Sequence, residues 1–208
     1  MNPTEKLLEL FLKFPGIGQK QAKRFIFFLL SQNPVYIKEL STEILNLKKS
    51  AKKCDLCFRF FFDHSQNNIC SICRSNDREN AIMIVSRDLD VENIEKSGEF
   101  RGKYFVLGGT VPILEKEPSK KIRIDSLLSY LEKLAKEESA DRRIKEVILA
   151  TDFNPEGENT ADFVRREISP LAKKYGFDVH SLGKGLSLGT ELEYSDPETI
   201  KNALKNRV

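Results

Sequence analysis

The 208-residue chain carries 34 Lys and Arg against 31 Asp and Glu, with 40% hydrophobic and 31% charged residues, an ordinary balance for a soluble protein. No apolar run approaches the roughly 20 residues that a helical membrane span needs. The net charge of +3 hides an asymmetry: residues 1–80 hold 13 Lys and Arg against 8 Asp and Glu, and residues 81–208 hold 21 against 23. A small basic excess in the first part suits a polyanionic partner, but it suits a solvated surface almost as well.

In chain order, Thr4 is read as the cap of a first helix with Leu7, Leu8, Phe11 and Phe14 at helical spacing, ending at Pro15. The segment Pro15-Gly16-Ile17-Gly18-Gln19-Lys20 leads into a second helix with Ala22, Phe25, Ile26 and Leu29 on its buried side, and Phe27 and Phe28 are also assigned to the core. Val35 to Lys49 repeats the apolar spacing with Ile37, Leu40, Ile44 and Leu47. These helices are grouped with the cysteine segment that follows as one first region.

Cys54, Cys57, Cys70 and Cys73 are two C-x2-C pairs separated by twelve residues. Two such turns supply the four thiolates of a tetrahedral structural Zn2+ site, one ion per chain. Two disulfides are the alternative, and the opening MNPTEKLLEL shows no apolar signal segment that would place the chain in an oxidising compartment. His64, in the intervening loop, is read as an exposed loop residue rather than a ligand. Phe58, Phe60, Phe61 and Phe62 beside Arg59 are read as packing around the metal loop, in preference to a platform on which bases stack.

From Ala81 the texture changes. AIMIV at 81–85, YFVLGG at 104–109 and EVILA at 146–150 read as strands buried on both faces. Helical patterns fall at Val91–Lys96, Asp125–Glu138 and Glu156–Tyr175, the last closed by Gly176, and a final strand occupies 177–182. Strand alternating with helix implies a mostly parallel sheet with helices on its faces.

Two segments carry functional chemistry. The helix–glycine turn–helix around Phe14–Lys20 resembles a helix-hairpin-helix, a module that grips nucleic-acid backbones without reading sequence. Gly16 and Gly18 let the turn bring main-chain N–H groups to the start of the next helix, and Lys20, Lys23 and Arg24 would add the counter-charge to phosphate. The segment Ala150-Thr151-Asp152-Phe153-Asn154-Pro155-Glu156-Gly157-Glu158 resembles the acidic motif of Toprim domains, in which a glutamate after the first strand and an Asp-x-Asp after a later one gather around Mg2+. Here Ser86 stands at the glutamate position, Asn154 replaces the second aspartate, and Arg87 would repel a cation. Asp88 and Asp90 could bind metal from nearby but fit better as a helix N-cap and a first-turn acid, and Glu156 and Glu158 read likewise as favourable charges at a helix N-terminus. A Mg2+-dependent Toprim nuclease or primase is the rival enzymatic reading.

Five ordered segments together resemble the bacterial recombination mediator family RecR: FPGIGQKQAKRF at 14–25, the cysteine quartet, GKYFVLGG at 102–109, LATDFNPEGENTADF at 149–163 and GKGLSLGTELEYSDPETIKNAL at 183–204. The resemblance implies a non-enzymatic, cytoplasmic, nucleoid-associated protein. It would form a ring-like homo-oligomer, commonly a tetramer, able to encircle single- or double-stranded DNA, and would work with RecO and in many bacteria RecF to help load RecA. It also implies a multi-part α+β fold: a helix-hairpin-helix DNA-binding region at 1–53, a four-cysteine zinc module at 54–80, a Toprim domain at 81–182 and a C-terminal extension at 183–208. Zinc would brace the hairpin unit against the Toprim domain, and the Toprim acidic face at Asp88, Asp152, Glu156 and Glu158 would contact a partner or retain a metal. Departures from the family pattern at Ser86, Phe105, Asp152 and Ser187 bear on the RecO contact.

Overall fold

The structure, a computed structural model, describes residues 2–63, 67–139, 142–183 and 197–205. The chain divides into two compact units, Met1–Ala51 and Lys52–Val208. His64, Ser187 and the GLSLGTELEY stretch lie outside the described residues.

The first unit is three helices: α1 (Pro3–Phe11), α2 (Gln19–Ser31) and α3 (Pro34–Ser50). Asn2, not Thr4, caps α1: its side chain accepts from the Thr4 amide while Glu5 reaches back to the Asn2 amide, and Pro3 takes the first helical position, where a missing N–H costs nothing. The helix stops at Phe11, four residues before Pro15, because residues 12–16 already form the turn; the Phe14 ring sits 6.0 Å from Phe11 across it. Phe11 meets Phe25 edge-on at 5.8 Å, fastening α1 to α2.

Packing here is thin. Among the described residues of this unit only Ala22 and Ile26 are buried, and α1 and α3 contain no buried residue. Phe27 and Phe28, expected in the core, are exposed, as are Leu30, Val35, Ile44, Leu45 and Leu47. Three short helices offer too few facing surfaces to cover so many apolar side chains.

The second unit is built on a four-stranded parallel sheet in the order β4-β3-β5-β6, with β3 Ala81–Val85, β4 Lys103–Val106, β5 Glu146–Ala150 and β6 Asp178–Ser181. All five residues of β3 are buried, as a central parallel strand requires. Ile82 and Ile84 face α6 (Ile124–Ala135) and α7 (Pro155–Tyr175) in a core with Phe105, Leu127, Leu131, Leu149, Val164 and Ile168. Gly176 closes α7 in the left-handed region at φ 74°. A last helix, α8, spans Pro197–Lys205.

The opposite face of the sheet carries the largest departure from expectation. Met83, Val85, Tyr104 and Val106 pack with Val91 of α5 (Asp88–Ser97) and with the cysteine loop, including Phe61 and Ile72. The sequence pattern groups the cysteines with the N-terminal helices, but their loop is instead a cover of the sheet. It consists of a two-residue ribbon, β1 (Lys52–Lys53) against β2 (Phe60–Phe61), and a single turn, α4 (Ser71–Arg74). A strand row buried on both faces needs a second layer, and α5 alone is too short to supply it.

A part-buried polar knot ties this layer together. Arg78 donates two hydrogen bonds to the Glu95 carboxylate, at 2.8 and 2.6 Å, and a third to the Gly102 carbonyl, while the Tyr104 hydroxyl donates to Glu95 at 2.7 Å. The Arg78 guanidinium holds the Glu95 carboxyl below its ordinary value of 4.5, and burial followed by the Glu95 hydrogen bond pushes the Tyr104 phenol up. Because the folded pKa of Glu95 lies below the unfolded one, its stabilisation is present above the ordinary glutamate range and lost as pH falls through the folded value. Glu95→Gln is therefore expected to cost about 1.5–3 kcal/mol near neutrality. In urea melts at several pH values the deficit shrinks in acid; a deficit constant with pH would contradict this role.

Candidate metal centre and nucleic-acid interface

The four cysteines are buried, and their sulfurs all lie within 4.8 Å of one another. The Cys57 and Cys70 sulfurs are 3.7 Å apart, far beyond the roughly 2.05 Å of a disulfide and close to the ~3.8 Å edge of a tetrahedron with metal–sulfur bonds of ~2.3 Å. The Cys70 amide donates to the Cys54 sulfur at 3.4 Å, the outer hydrogen bond that steadies a metal-bound thiolate. The thiols perturb one another as one group: hydrogen bonding with Cys57 pulls Cys54 down, and hydrogen bonding to Cys54 together with burial pushes Cys57 and Cys73 up. Four buried sulfurs cannot all become thiolates without a cation among them, so the donor set fits a metal ion. Cys54, Cys57, Cys70 and Cys73 would hold it.

Local backbone explains how the loop closes. Phe58, directly after the second cysteine, is the one non-glycine residue with positive φ among the described residues, at 62°. Its ring is held 5.4 Å from Phe105, with Lys53 Nζ and the Arg123 guanidinium 5.3 and 5.5 Å from its centre. The left-handed turn aims the Cys57 carbonyl at the sheet, where it accepts from the Val106 amide at 2.9 Å.

The Toprim-like face lies at the C-terminal ends of the strands. Ser86, at the position of the Toprim glutamate, is 1% exposed and its hydroxyl has no partner. Asp88 is engaged by the cysteine loop: its carboxylate accepts from the Phe60 amide at 2.6 Å, bracketing β2. Arg87, not Asp88, is the N-cap of α5, and Asp90 accepts from the Arg87 amide. Asn154 caps α7 by accepting from the Gly157 amide, the Thr151 hydroxyl donates to the Gly157 carbonyl, and Glu156 accepts from the Thr110 hydroxyl. Asp152 is half-buried and Glu158 is exposed on the first turn of α7. Among the described residues only the cysteines form a group of three or more such donors close enough to hold a metal; Asp88, Asp152, Glu156 and Glu158 form no second one.

In the hairpin, Gly16 adopts φ 74°, which favours glycine, and Gly18 is the N-cap of α2 with no side-chain cap. Lys20, Lys23 and Arg24 are all exposed, Lys20 and Arg24 on the side of α2 opposite Ala22 and Ile26 and Lys23 on its flank. The aromatic run of the cysteine loop corrects the sequence reading: Phe61 is buried, but Phe60 and Phe62 are 51% and 63% exposed. The alternation that separates them was legible as the period of a strand.

A Toprim domain family model matches residues 80–182, and the model described as RecR, C-terminal matches residues 185–208. Similar proteins include recombination proteins RecR of Chloroflexus aggregans, 37% identical over 99% of this chain and 93% of the relative, and of Dehalococcoides mccartyi, 37% identical over 98% and 93%. The chain belongs to the RecR family. The RecR protein of Lactococcus lactis is 33% identical over 99% of this chain and 96% of its own length. RecR membership joins the two findings of the geometry, a Toprim fold and a four-cysteine metal centre, in one chain.

Cys54→Ser with Cys57→Ser is expected to abolish metal binding and unfold or precipitate the protein, measured by metal content and thermal melting. Acid should release the metal as protons compete for the thiolates. A soluble double variant, metal-free and melting like the wild type, would refute a structural metal.

Proposed function

We propose that this chain is a non-catalytic DNA-binding mediator of recombinational repair. Gly18 carries the reading. Among the described residues a Cβ there would meet nothing within 4 Å, and its φ of −92° is open to any residue, so neither packing nor backbone strain calls for glycine. As the N-cap of α2 it leaves the backbone open to close approach by a ligand. The ligand fits as a phosphate: the first-turn amides of the 13-residue α2 have no side-chain cap, and Lys20, Lys23 and Arg24 flank them.

The working division is a DNA-binding region at 1–53, a zinc module at 54–80, a Toprim domain at 81–182 and an extension at 183–208. Zinc is the metal that four thiolates in a closed tetrahedral set favour. The sparse core of the first unit supports homo-oligomerisation, for which a tetrameric ring is the family expectation: α3 leaves Val35, Ile44, Leu45 and Leu47 exposed. Closing a ring gathers several weak hairpins on one DNA and raises avidity far above one contact. The Toprim face suits a protein partner, RecO in this reading with RecF beside it, because exposed Phe153, Ile113 and Leu114 accompany Asp152, Glu156 and Glu158. A Mg2+ enzyme is disfavoured by Ser86 and by the engagement of Asp88 and Glu156 elsewhere. The protein would act in the cytoplasm, on nucleoid DNA.

Binding to single- and double-stranded oligonucleotides should weaken linearly in log–log plots against salt. Lys20→Glu with Lys23→Glu should weaken both and flatten the duplex slope by about 0.9 for each phosphate left unneutralised. Unchanged affinity and slope in that variant would sink the hairpin reading.

A further inference from the structure

The cysteine loop presents two phenylalanines that the fold does not use. Phe60 and Phe62 are 51% and 63% exposed while Phe61 between them is 7% exposed. The Phe60 backbone is held, because the Cys54 amide donates to the neighbouring Arg59 carbonyl at 2.9 Å and the Phe60 amide is held by Asp88, and Phe62 directly follows the ribbon. A solvent-facing pair of aromatic rings on a braced ribbon is the arrangement that stacks unpaired bases.

The surrounding charge favours nucleic acid over an apolar protein surface. Lys53 lies directly opposite Phe60 in the ribbon and is exposed, with its ammonium 5.3 Å from the neighbouring Phe58 ring. Arg123 stands 5.5 Å from the same ring, its guanidinium oriented by the Val106 carbonyl at 2.9 Å. Of the nearby carboxylates, Asp63 pairs with Arg74 at 2.7 Å and Asp88 takes the Phe60 amide, while Asp55 is exposed. Residues two apart on a strand stand about 6.5–7 Å apart, twice the ~3.4 Å spacing of stacked bases along one strand. Successive bases of a strand drawn out of its stack match that interval; paired bases inside a duplex cannot reach the rings.

We infer that Phe60 and Phe62, with Lys53 opposite Phe60, form a stacking platform for single-stranded nucleic acid, separate from the hairpin. The inference rests on the DNA-binding reading above and adds to it a second contact that discriminates single strands from duplex. The hairpin neutralises phosphates of either form; the ribbon reads only bases free to splay.

The test uses the metal-loaded full-length chain, a short oligo(dT) and a duplex of equal length, with affinity read by fluorescence anisotropy. Phe60→Ala with Phe62→Ala removes two exposed rings and should keep its metal. It is expected to lose oligo(dT) affinity by on the order of 10-fold or more, with duplex affinity unchanged. The chain contains no tryptophan, so Phe60→Trp supplies a single indole, whose emission should be quenched on saturation with oligo(dT) and not with duplex. Wild-type oligo(dT) affinity in the double alanine variant, or an unquenched indole, would overturn the platform. So would a changed oligomeric state with oligo(dT) affinity retained, since the rings would then belong to a subunit contact. Lys20→Glu in the same assay reports on the hairpin alone: if it leaves both affinities intact the hairpin reading fails, while the ribbon is decided by its own variants.

Discussion

The cysteine loop closes over the sheet, and the second unit depends on that closure. β3 is buried on both faces, so the side away from α6 and α7 must be covered, and α5 reaches only part of it. A segment of some twenty residues with few regular hydrogen bonds cannot hold such a position by hydrophobic burial alone. A cation held by the four sulfurs would supply the missing constraint, and three contacts tie the loop to the sheet: Cys57 carbonyl to Val106 amide, Phe58 against Phe105, and Asp88 carboxylate to Phe60 amide. The left-handed conformation of Phe58 is tolerable because its ring is gripped from three sides.

This closure bears directly on chemistry. In a Toprim site the acidic groups must converge, and here Asp88, Asp152, Glu156 and Glu158 form no group close enough to hold a metal among the described residues. Ser86 withdraws one carboxylate, Asp88 is committed to the loop backbone, and Glu156 accepts from Thr110. What remains at the strand ends is a well-capped α7 with acids on its first turn and exposed apolar side chains nearby. The first unit has the complementary character, with a basic, glycine-bearing turn and too small a core for its apolar content. Both units leave such surface exposed, in keeping with the mediator role proposed above.

Features encoded over short distances were legible in the sequence. The cysteine spacing, the apolar runs of β3, β4 and β5, and the stop of α7 at Gly176 each announce themselves within a few residues. Less was legible where the deciding partner lies far along the chain or where two local signals compete. Asp88 looks like a helix cap until Phe60, 28 residues earlier, is placed beside it. Thr4 is an acceptable cap, but Asn2 followed by Pro3 and Glu5 satisfies more of the first-turn amides. Phe27 and Phe28 read as core because hydrophobicity reports a tendency to be covered, not what does the covering. Phe58 breaks the rule that positive φ selects glycine, so its turn gave no signal at all.

The most direct test of the central claim, that the chain binds DNA and leaves it intact, is a single set of gels. The metal-loaded protein is incubated with single- and double-stranded DNA, with and without Mg2+, at two salt concentrations, and retardation and cleavage are scored in the same lanes. Salt-sensitive retardation of uncut DNA, indifferent to Mg2+, is the predicted result. Mg2+-dependent cleavage that disappears in Asp152→Ala would contradict it and return the Toprim face to catalysis.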